Sequence, residues 1–380
     1  MIIGIDASNI RVGGGVHHLV EVLAVADPEK HGFSKIVLFG GDRTLEKIEP
    51  RSWLIKVNPL ALNGHLIQRV GWQRFRLSNA ARSHGCDLLF VPGGSFAGNF
   101  RPVVSMSQNL LPFEWKEFRR YGWSWPTLRM LLLRWSQAHT FAFVDGVIFL
   151  TEHARSVVCQ VVQLPVTKTT IVAHGINARF FSRPKSQLPI SDYSSDRPYR
   201  ILYISTIDVF KHQWHVVEGV SKLRSLGYPI VLDLVGSSYP PALDRLKQAL
   251  AIHDPHNAFA RYVGPLPYNE IERKYAEADL FVFASSCETF GQIITEAMCA
   301  GLPITCSARS AMSELLGSCG IYFDPEDPGS IADAIRRLLE DPILRSSIAT
   351  EANKMSAKFS WERCADETFE FFQATLRRTQ

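Results

Sequence analysis

Short β-branched apolar runs alternate along the chain with longer stretches at helical spacing. Five runs come early: Ile2–Asp6, Lys35–Phe39, Asp87–Val91, Pro102–Met106 and Gly146–Leu150. Five more follow: Ile201–Ser205, Ile230–Val235, Asp279–Ala284, Pro303–Cys306 and Ile321–Phe323. They are near-continuous rather than alternating, which suits strands covered on both faces of a parallel sheet. Strands alternating with helices predict βαβ units and an α/β fold of doubly wound sheets. Between the two series, Ser182–Pro198 is rich in Pro and Ser, lacks a hydrophobic period, and reads as a linker. The expected organisation is a first domain over 1–181, a linker over 182–198 and a second domain over 199–364. A terminal helix over about 365–380, with Ala365, Phe369, Phe372 and Leu376 on one face, is expected to dock back on the first domain.

Composition narrows the class. At about 150 residues per domain, 380 residues agree with two domains. Hydrophobic residues at 46% and charged residues at 21% exclude disordered, collagenous and low-complexity chains. Forty-one basic against 37 acidic residues leave +4, too mild for bulk nucleic-acid binding but compatible with a local basic patch. The seven cysteines are scattered, with no C-x-x-C pair, which argues against a disulfide scaffold or structural zinc and for a reducing compartment. The start has no basic region before an apolar run, and Asp6 interrupts it, unlike a secretory signal. No uncharged apolar run reaches the ~18 residues of a membrane span. The expectation is a cytoplasmic protein, with scope for peripheral contact at the inner face of the membrane.

Two regions carry candidate chemistry. Strand Ile2–Asp6 leads into Arg11-Val12-Gly13-Gly14-Gly15 and then a helix with Val16, Leu19, Val20 and Leu23 inward. Glycines there let backbone approach a ligand, and a helix N-terminus favours an anion. A tight turn uses the same residues, and the pattern is neither G-x-G-x-x-G nor a P-loop. The second region is Phe281–Ile304, FVFASSCETFGQIITEAMCAGLPI. Glu288 lies on the loop at a strand's carboxyl end, where open α/β sheets bind ligands. A helix is expected from about Gln292, stopping at Gly301 with Pro303 beyond, and Glu296 sits about a turn inside it. Amides between the two carboxylates can hold a diphosphate, while the carboxylates accept hydrogen bonds from sugar or ribose hydroxyls. Taken singly, Glu296 reads equally as a solvated helix glutamate and Glu288 as a loop charge. Lys211 is read as opening the helix after strand Ile201–Ser205. There it opposes the helix dipole, so a bound phosphate would compensate it; a plain surface lysine is the alternative.

In combination these residues resemble the retaining glycosyltransferases of family 4 (glycosyl transferases group 1). Their GT-B fold has two Rossmann-like, doubly wound parallel-sheet domains facing a cleft. The resemblance covers nearly the whole chain. It rests on Glu288, Phe290, Gly291 and Glu296, the Glu-x-Phe-Gly stretch with a second Glu eight residues after the first, followed by Glu-Ala-Met and Gly-Leu-Pro. The glycine loop, Ile171–Phe181, Lys211 and Ser360-Trp361-Glu362 fall in the family's order.

The resemblance implies that Glu288 contacts donor-sugar hydroxyls and helps hold the anomeric centre. Backbone at Phe290, Gly291 and Gln292 would line the donor sugar and diphosphate. Glu296 would bind the nucleotide ribose, and Lys211 would neutralise the diphosphate leaving group. Val263 and Gly264 would flank the nucleobase, and Gly14 and Gly15 would approach the phosphates from the first domain. Such transfer retains configuration and uses neither cofactor nor metal. No D-x-D motif suits a metal here, and Asp324-Pro325-Glu326-Asp327 reads as a turn.

The departures from the family pattern matter. Ser205–Phe210 lacks the Arg common before the donor Lys, so a Ser or Thr hydroxyl such as Ser205 is expected to assist. Gln108 or Asn109 stands where many members carry His; either can hydrogen-bond sugar or acceptor, and neither can act as a base. Ala284 replaces a common proline. His174 falls near the cleft in the family pattern, as a sugar or acceptor contact; a structural role for it, and for His17 and His18, is the alternative.

Trp115–Trp135 mixes four Trp with Lys and Arg around an apolar run, the composition of an interfacial helix. A core helix with snorkelling arginines has the same composition. The leading functional expectation is transfer of mannose from GDP-mannose to a growing, lipid-linked cell-surface glycan such as O-antigen or capsule. UDP-glucose and UDP-N-acetylglucosamine are the alternative donors. From other classes, a nucleotide-sugar 2-epimerase would need no acceptor, and a non-catalytic nucleotide-sugar-binding protein would turn nothing over. A dehydrogenase is disfavoured by the missing G-x-G-x-x-G, and no nucleic-acid partner is expected.

Overall fold

The computed structural model describes residues 1–11 and 13–379; Val12 of the glycine loop and Gln380 of the expected terminal helix lie outside the described residues. The chain forms two compact units. Met1–Phe118, Gly122–Gly175 and Ser360–Gln380 make the first, and Arg119–Tyr121 with Ile176–Phe359 the second.

The first unit contains β1 (Ile2–Asp6), α1 (Gly14–Val25), β2 (Lys35–Phe39), α2 (Asp42–Leu45), β3 (Leu54–Val57), α3 (Leu66–Phe75), α4 (Leu77–Ser83), β4 (Leu88–Val91), β5 (Val103–Ser107), α5 (Trp115–Phe118), α6 (Trp125–Phe143), β6 (Gly146–Phe149), α7 (Glu152–Cys159) and β7 (Thr169–Ile171). Its strands form one parallel sheet in the order β3-β2-β1-β4-β5-β6-β7. β4, β5 and β6 are buried along their whole length. The edge strands β3 and β7 are not among the ten expected ones. They lie half-exposed against a single neighbour, so they need no continuous apolar run.

The second unit contains β8 (Tyr199–Ile204), α8 (Gln213–Ser225), β9 (Ile230–Val235), α9 (Pro240–His253), β10 (Ala260–Gly264), α10 (Tyr268–Glu277), β11 (Leu280–Phe283), α11 (Gln292–Cys299), β12 (Ile304–Ser307), α12 (Met312–Leu316), β13 (Ile321–Phe323), α13 (Pro328–Glu340) and α14 (Pro342–Ser356). Its sheet is also parallel, in the order β10-β9-β8-β11-β12-β13. The final helix, α15 (Trp361–Thr379), belongs to the first unit, from Ser360 rather than from 365. It packs Phe372 against Phe90 (centroids 5.0 Å) and Phe369 against His31 (5.7 Å), and Asp366 pairs with Lys30 at 2.6 Å.

Two boundaries differ from the expected ones. The first unit ends at Gly175, not 181. The Ile176 amide already donates to Phe359 (3.0 Å), and Phe180 packs edge-on against Tyr275 (5.7 Å), both within the second unit. Ser182–Pro198 is not a free linker but a strap on the second unit. Its Ser182 amide donates to Cys299 (3.1 Å), and its Ser182 carbonyl accepts from Asn353 (3.1 Å). The buried Arg345 guanidinium reaches the Leu188 carbonyl and Gln187 Oε1 while also donating to Leu338 and Leu339 at 2.7 Å. Hydrogen bonds to main chain hold this segment, so no hydrophobic period marks it.

Arg345→Met is expected to lower the stability of the second unit by about 3 kcal/mol, because it leaves several buried carbonyls without donors. Urea unfolding followed by tryptophan fluorescence measures it; a loss well under 1 kcal/mol would mean the strap is held by something else.

Candidate functional site

Strand order reverses between β8 and β11: β8 to β10 run toward one edge, β11 to β13 toward the other. The loops leaving the carboxyl ends of β8 and β11 therefore diverge and open a crevice, the switch point at which parallel sheets bind ligands. Lys211 lies on the first loop and Glu288 on the second, and the structure joins them in an ion pair. The Lys211 ammonium also sits 5.0 Å from the Phe210 ring centroid and 5.1 Å from that of Phe283, a further attraction for a cation.

Each partner is held by its backbone. The Lys211 carbonyl accepts from the hydroxyl of buried Tyr203, and that hydroxyl accepts from the Ala284 amide at 3.3 Å. One side chain on β8 thus ties the two loops together. Ser310 clamps Glu288: its hydroxyl accepts from the Glu288 amide (2.7 Å) and donates to the Glu288 carbonyl (2.8 Å). Lys211 does not open a helix as expected. α8 begins at Gln213 behind His212, whose φ of 51° turns the chain, and Lys211 lies in the preceding turn, its amide donating to Asp208 at 3.0 Å. Its ion-pair partner within the chain is Glu288. Sequence reading missed Tyr203 and Ser310, since nothing local distinguishes them.

α11 starts immediately after the Glu288 loop. Gly291 takes φ 92° at its N-cap, a conformation that costs a residue with a side chain. The N-terminus of α11 lies at this end of the sheet, where a helix dipole favours an anion; the Ile294 amide of its first turn donates to the Gly291 carbonyl at 2.8 Å. Phe290 is buried, its ring edge-on to Phe359 (5.8 Å). Glu296 lies on the second turn and is not the solvated helix glutamate that was the alternative. It is buried, and its carboxylate accepts from the Tyr275 hydroxyl at 3.0 Å. Burial pushes its pKa up to about 7, against opposing pulls from the Tyr275 hydrogen bond and the Arg179 charge.

Ser205, Val263 and Gly264 lie at the same end of the sheet. The Ser205 amide donates to Val235 (2.9 Å), and the Gly264 carbonyl accepts from Gly236 (2.9 Å). Val263 is half-buried on β10 beside a bulge. The Ser205 hydroxyl donates to the Thr206 carbonyl at 2.9 Å, so it is turned to its own loop rather than to Lys211. Asp324–Asp327 does form a turn, with Glu326 ion-paired to Arg120 and Arg309.

The remaining candidates are on the first unit. Gly14 and Gly15 are the first residues of α1 rather than part of a loop before it, and Gly13 makes the turn. Gly15 faces Gln108, whose Oε1 would lie 3.4 Å from a Cβ placed there. Gln108 Nε2 lies 3.3 Å from Met106 Sδ, and Asn109 is spent locally, accepting from the Leu111 amide at 3.2 Å. His174 stacks on His18 (4.8 Å), and both pack on Trp361 at 5.6 and 5.9 Å, with His17 edge-on to the same indole at 5.6 Å. This cluster joins α1, the segment after β7 and the start of α15, which is the structural role given as the alternative. Burial, with the neighbouring His174 and His17, holds His18 well below its ordinary pKa.

The Trp115–Trp135 stretch is broken into α5, a short turn and α6. Trp123, Trp125, Leu128, Leu132 and Trp135 are exposed, so this face is not core. Among the described residues, no helix is long and apolar enough to cross a membrane.

Residues 190–355 match the family described as glycosyl transferases group 1. The second unit carries a glycosyl transferases group 1 domain. The chain is also 25% identical over 232 residues to O-antigen chain mannosyltransferase B of Escherichia coli, a stretch covering 60% of this chain and 60% of that relative's length. Sucrose-phosphate synthase from Thermosynechococcus elongatus superposes with a TM-score of 0.75 at 19% identity over 100% of both chains. HepE of Anabaena, solved with UDP, gives 0.68 at 18% identity over 98% of this chain and 99% of that one. The fold is therefore GT-B, as the resemblance implied. Within the glycosyl transferases group 1 domain lie Lys211, Glu288, Glu296 and the α11 N-terminus.

The Glu296 shift sets a pH dependence. Below the ordinary carboxyl pKa of 4.5, folded and unfolded chains both carry the proton. Between there and about 7 the unfolded chain ionises and the folded one does not, so stability falls as pH rises, and above 7 the loss is complete. Glu296→Gln, which stays neutral, is expected to melt higher than the unsubstituted protein at alkaline pH and to lose that advantage in acid. Parallel melting curves across pH would refute this.

Proposed function

We propose that the protein is a retaining glycosyltransferase that moves a sugar from a nucleotide-diphosphate donor to a growing, lipid-linked cell-surface glycan. The observation that carries the reading is the Lys211–Glu288 pair at the sheet's switch point, beside the N-terminus of α11, inside a glycosyl transferases group 1 domain. In this reading the donor's diphosphate lies against the α11 amides and draws the Lys211 ammonium from Glu288. Glu288 is then free to accept hydrogen bonds from the donor sugar. As the bond from the anomeric carbon to the diphosphate breaks, Lys211 meets the developing charge, a role that needs no metal ion. The acceptor hydroxyl oxygen bonds to the anomeric carbon on the face the diphosphate leaves, and its proton passes to the departing diphosphate oxygen. Glu296, next to Tyr275, takes the ribose hydroxyls, and Val263 and Gly264 flank the base. Gln108 and Asn109 of the first unit are assigned to acceptor contacts.

The donor we favour is GDP-mannose, supported by the mannosyltransferase named among the relatives. A UDP-sugar is the second reading, supported by the UDP in HepE. Melting curves with GDP, UDP, ADP and their sugars separate the two, because a ligand that binds only the folded chain raises the melting point with its concentration. No response to any nucleotide would count against the transferase reading.

Glu288→Ala and Lys211→Ala are each expected to lower transfer about 100-fold or more, the scale of losing a charge-stabilising group. Glu296→Ala should chiefly raise the donor KM. Near-normal rates in both Glu288→Ala and Lys211→Ala would refute the assignment.

The exposed Trp and Leu face of α6 is proposed to meet the membrane that carries the acceptor. Replacing Trp125 and Trp135 by Gln should weaken flotation with lipid vesicles, and unchanged flotation would remove α6 from the membrane contact.

A further inference from the structure

His212 follows Lys211 directly and holds a backbone conformation that glycine adopts most readily. Its φ of 51° lies in the left-handed region, which costs a residue with a side chain, and its imidazole is fully buried. Strain of this kind persists only where the surroundings over-determine it, and it collects at functional sites.

The ring is held on three sides. Nε2 lies 3.0 Å from the Ser286 hydroxyl, the ring stacks on His215 at 5.4 Å, and Trp214 meets it edge-on at 5.8 Å. Ser286 belongs to the loop after β11, shortly before Glu288. It also binds Phe210: its amide donates to the Phe210 carbonyl at 2.9 Å and its hydroxyl at 3.2 Å. Both chain neighbours of Lys211 are therefore fastened to one residue of the opposite loop. The Lys211 carbonyl is taken by Tyr203. Little backbone freedom remains at Lys211, so its ammonium starts from a fixed place.

The bond directions follow from proton counting. A hydroxyl has one proton, and the Ser286 proton goes to the Phe210 carbonyl, so the bond from His212 needs a proton on Nε2. Nδ1 has no hydrogen-bond partner among the described residues, as suits the bare nitrogen of that tautomer. Burial, with the Arg120 charge and His215, brings the His212 pKa down to about 3, which keeps the ring neutral. A neutral ring ties the loops without setting a second positive charge beside the Lys211 ammonium.

We propose that His212 is a positioning residue for Lys211: through Ser286 it fastens the Lys211 loop to the Glu288 loop and so sets where the ammonium stands. Its consequence for catalysis rests on the transferase reading, in which Lys211 must meet the charge of the departing diphosphate. The tie itself rests on the hydrogen bonds alone.

The variants must separate the turn from the tie. Gly and Asn both accept a positive φ, but neither reaches Ser286 as the imidazole does. Gln carries an amide N–H out to about the place of Nε2. In the full chain without ligand, His212→Asn and His212→Gly are expected to speed amide hydrogen exchange about tenfold in peptides 206–212 and 284–290 together. Transfer is measured with whichever of GDP-mannose and UDP-glucose the unsubstituted chain uses. There the same variants should lower kcat about tenfold or more while the donor KM stays within about twofold. His212→Gln should restore both readouts. Ser286→Ala should reproduce the His212→Asn losses, with the double variant no worse than either alone, and it carries the test if the His212 variants do not fold. Unchanged exchange in 284–290, or a His212→Gln variant as impaired as His212→Asn, overturns the proposal and leaves His212 as packing. An unsubstituted chain that transfers no sugar overturns the transferase reading alone, because the exchange measurement needs no substrate and still decides the tie.

Discussion

The ion pair between Lys211 and Glu288 organises the second unit's carboxyl edge. Two loops that diverge from adjacent parallel strands have no reason to stay in register unless something ties them. Here a cation and a carboxylate, both mostly shielded from water, close the gap from opposite loops. Partial burial strengthens their attraction beyond that of a surface pair, and it also makes either one costly to leave alone. Around the pair, Tyr203 fixes the backbone of one partner and Ser310 that of the other. Where α8 and α11 begin, and where their first amides point, follows from the ends of those loops.

The site holds two carboxylates eight residues apart whose environments differ sharply. Glu288 faces an ammonium across the crevice, and its charge is answered there. Glu296 is buried one helical turn on, answered mainly by a neutral Tyr275 hydroxyl, and its affinity for a proton rises accordingly. One group is set by a cation and the other by a hydroxyl donor, although both stand in the same short motif. A ligand hydroxyl arriving at Glu296 would favour the ionised form, so binding there is linked to the release of a proton.

The first unit distributes its polar and apolar groups less conventionally. His18 and His174 are stacked against Trp361 where the last helix returns, so imidazoles serve as packing. α3 anchors itself with the buried Gln73 beside Trp72, which packs on Phe39 (5.9 Å), and leaves Leu66, Ile67 and Val70 outside. Both arrangements place polar side chains inside, where packing and hydrogen bonds satisfy them.

The sequence by itself determined most of the architecture. Apolar runs marked the central strands of both sheets, because a strand covered on both faces must be hydrophobic throughout. The spacing of Glu288, Gly291 and Glu296 placed a loop, a turn and a helix correctly, since backbone preference is local. The half-exposed edge strands β3 and β7, and the strap Ser182–Pro198, escaped that reading because hydrogen bonds rather than burial hold them. Only the tertiary structure decided which groups meet. Lys211 finds Glu288 77 residues away, Glu288 finds Ser310 22 residues on, and Glu296 finds Tyr275 21 residues back. A residue's own pattern records its preference for water or for a backbone conformation. Its partner, and with it its charge state, is settled only when distant strands close into one sheet.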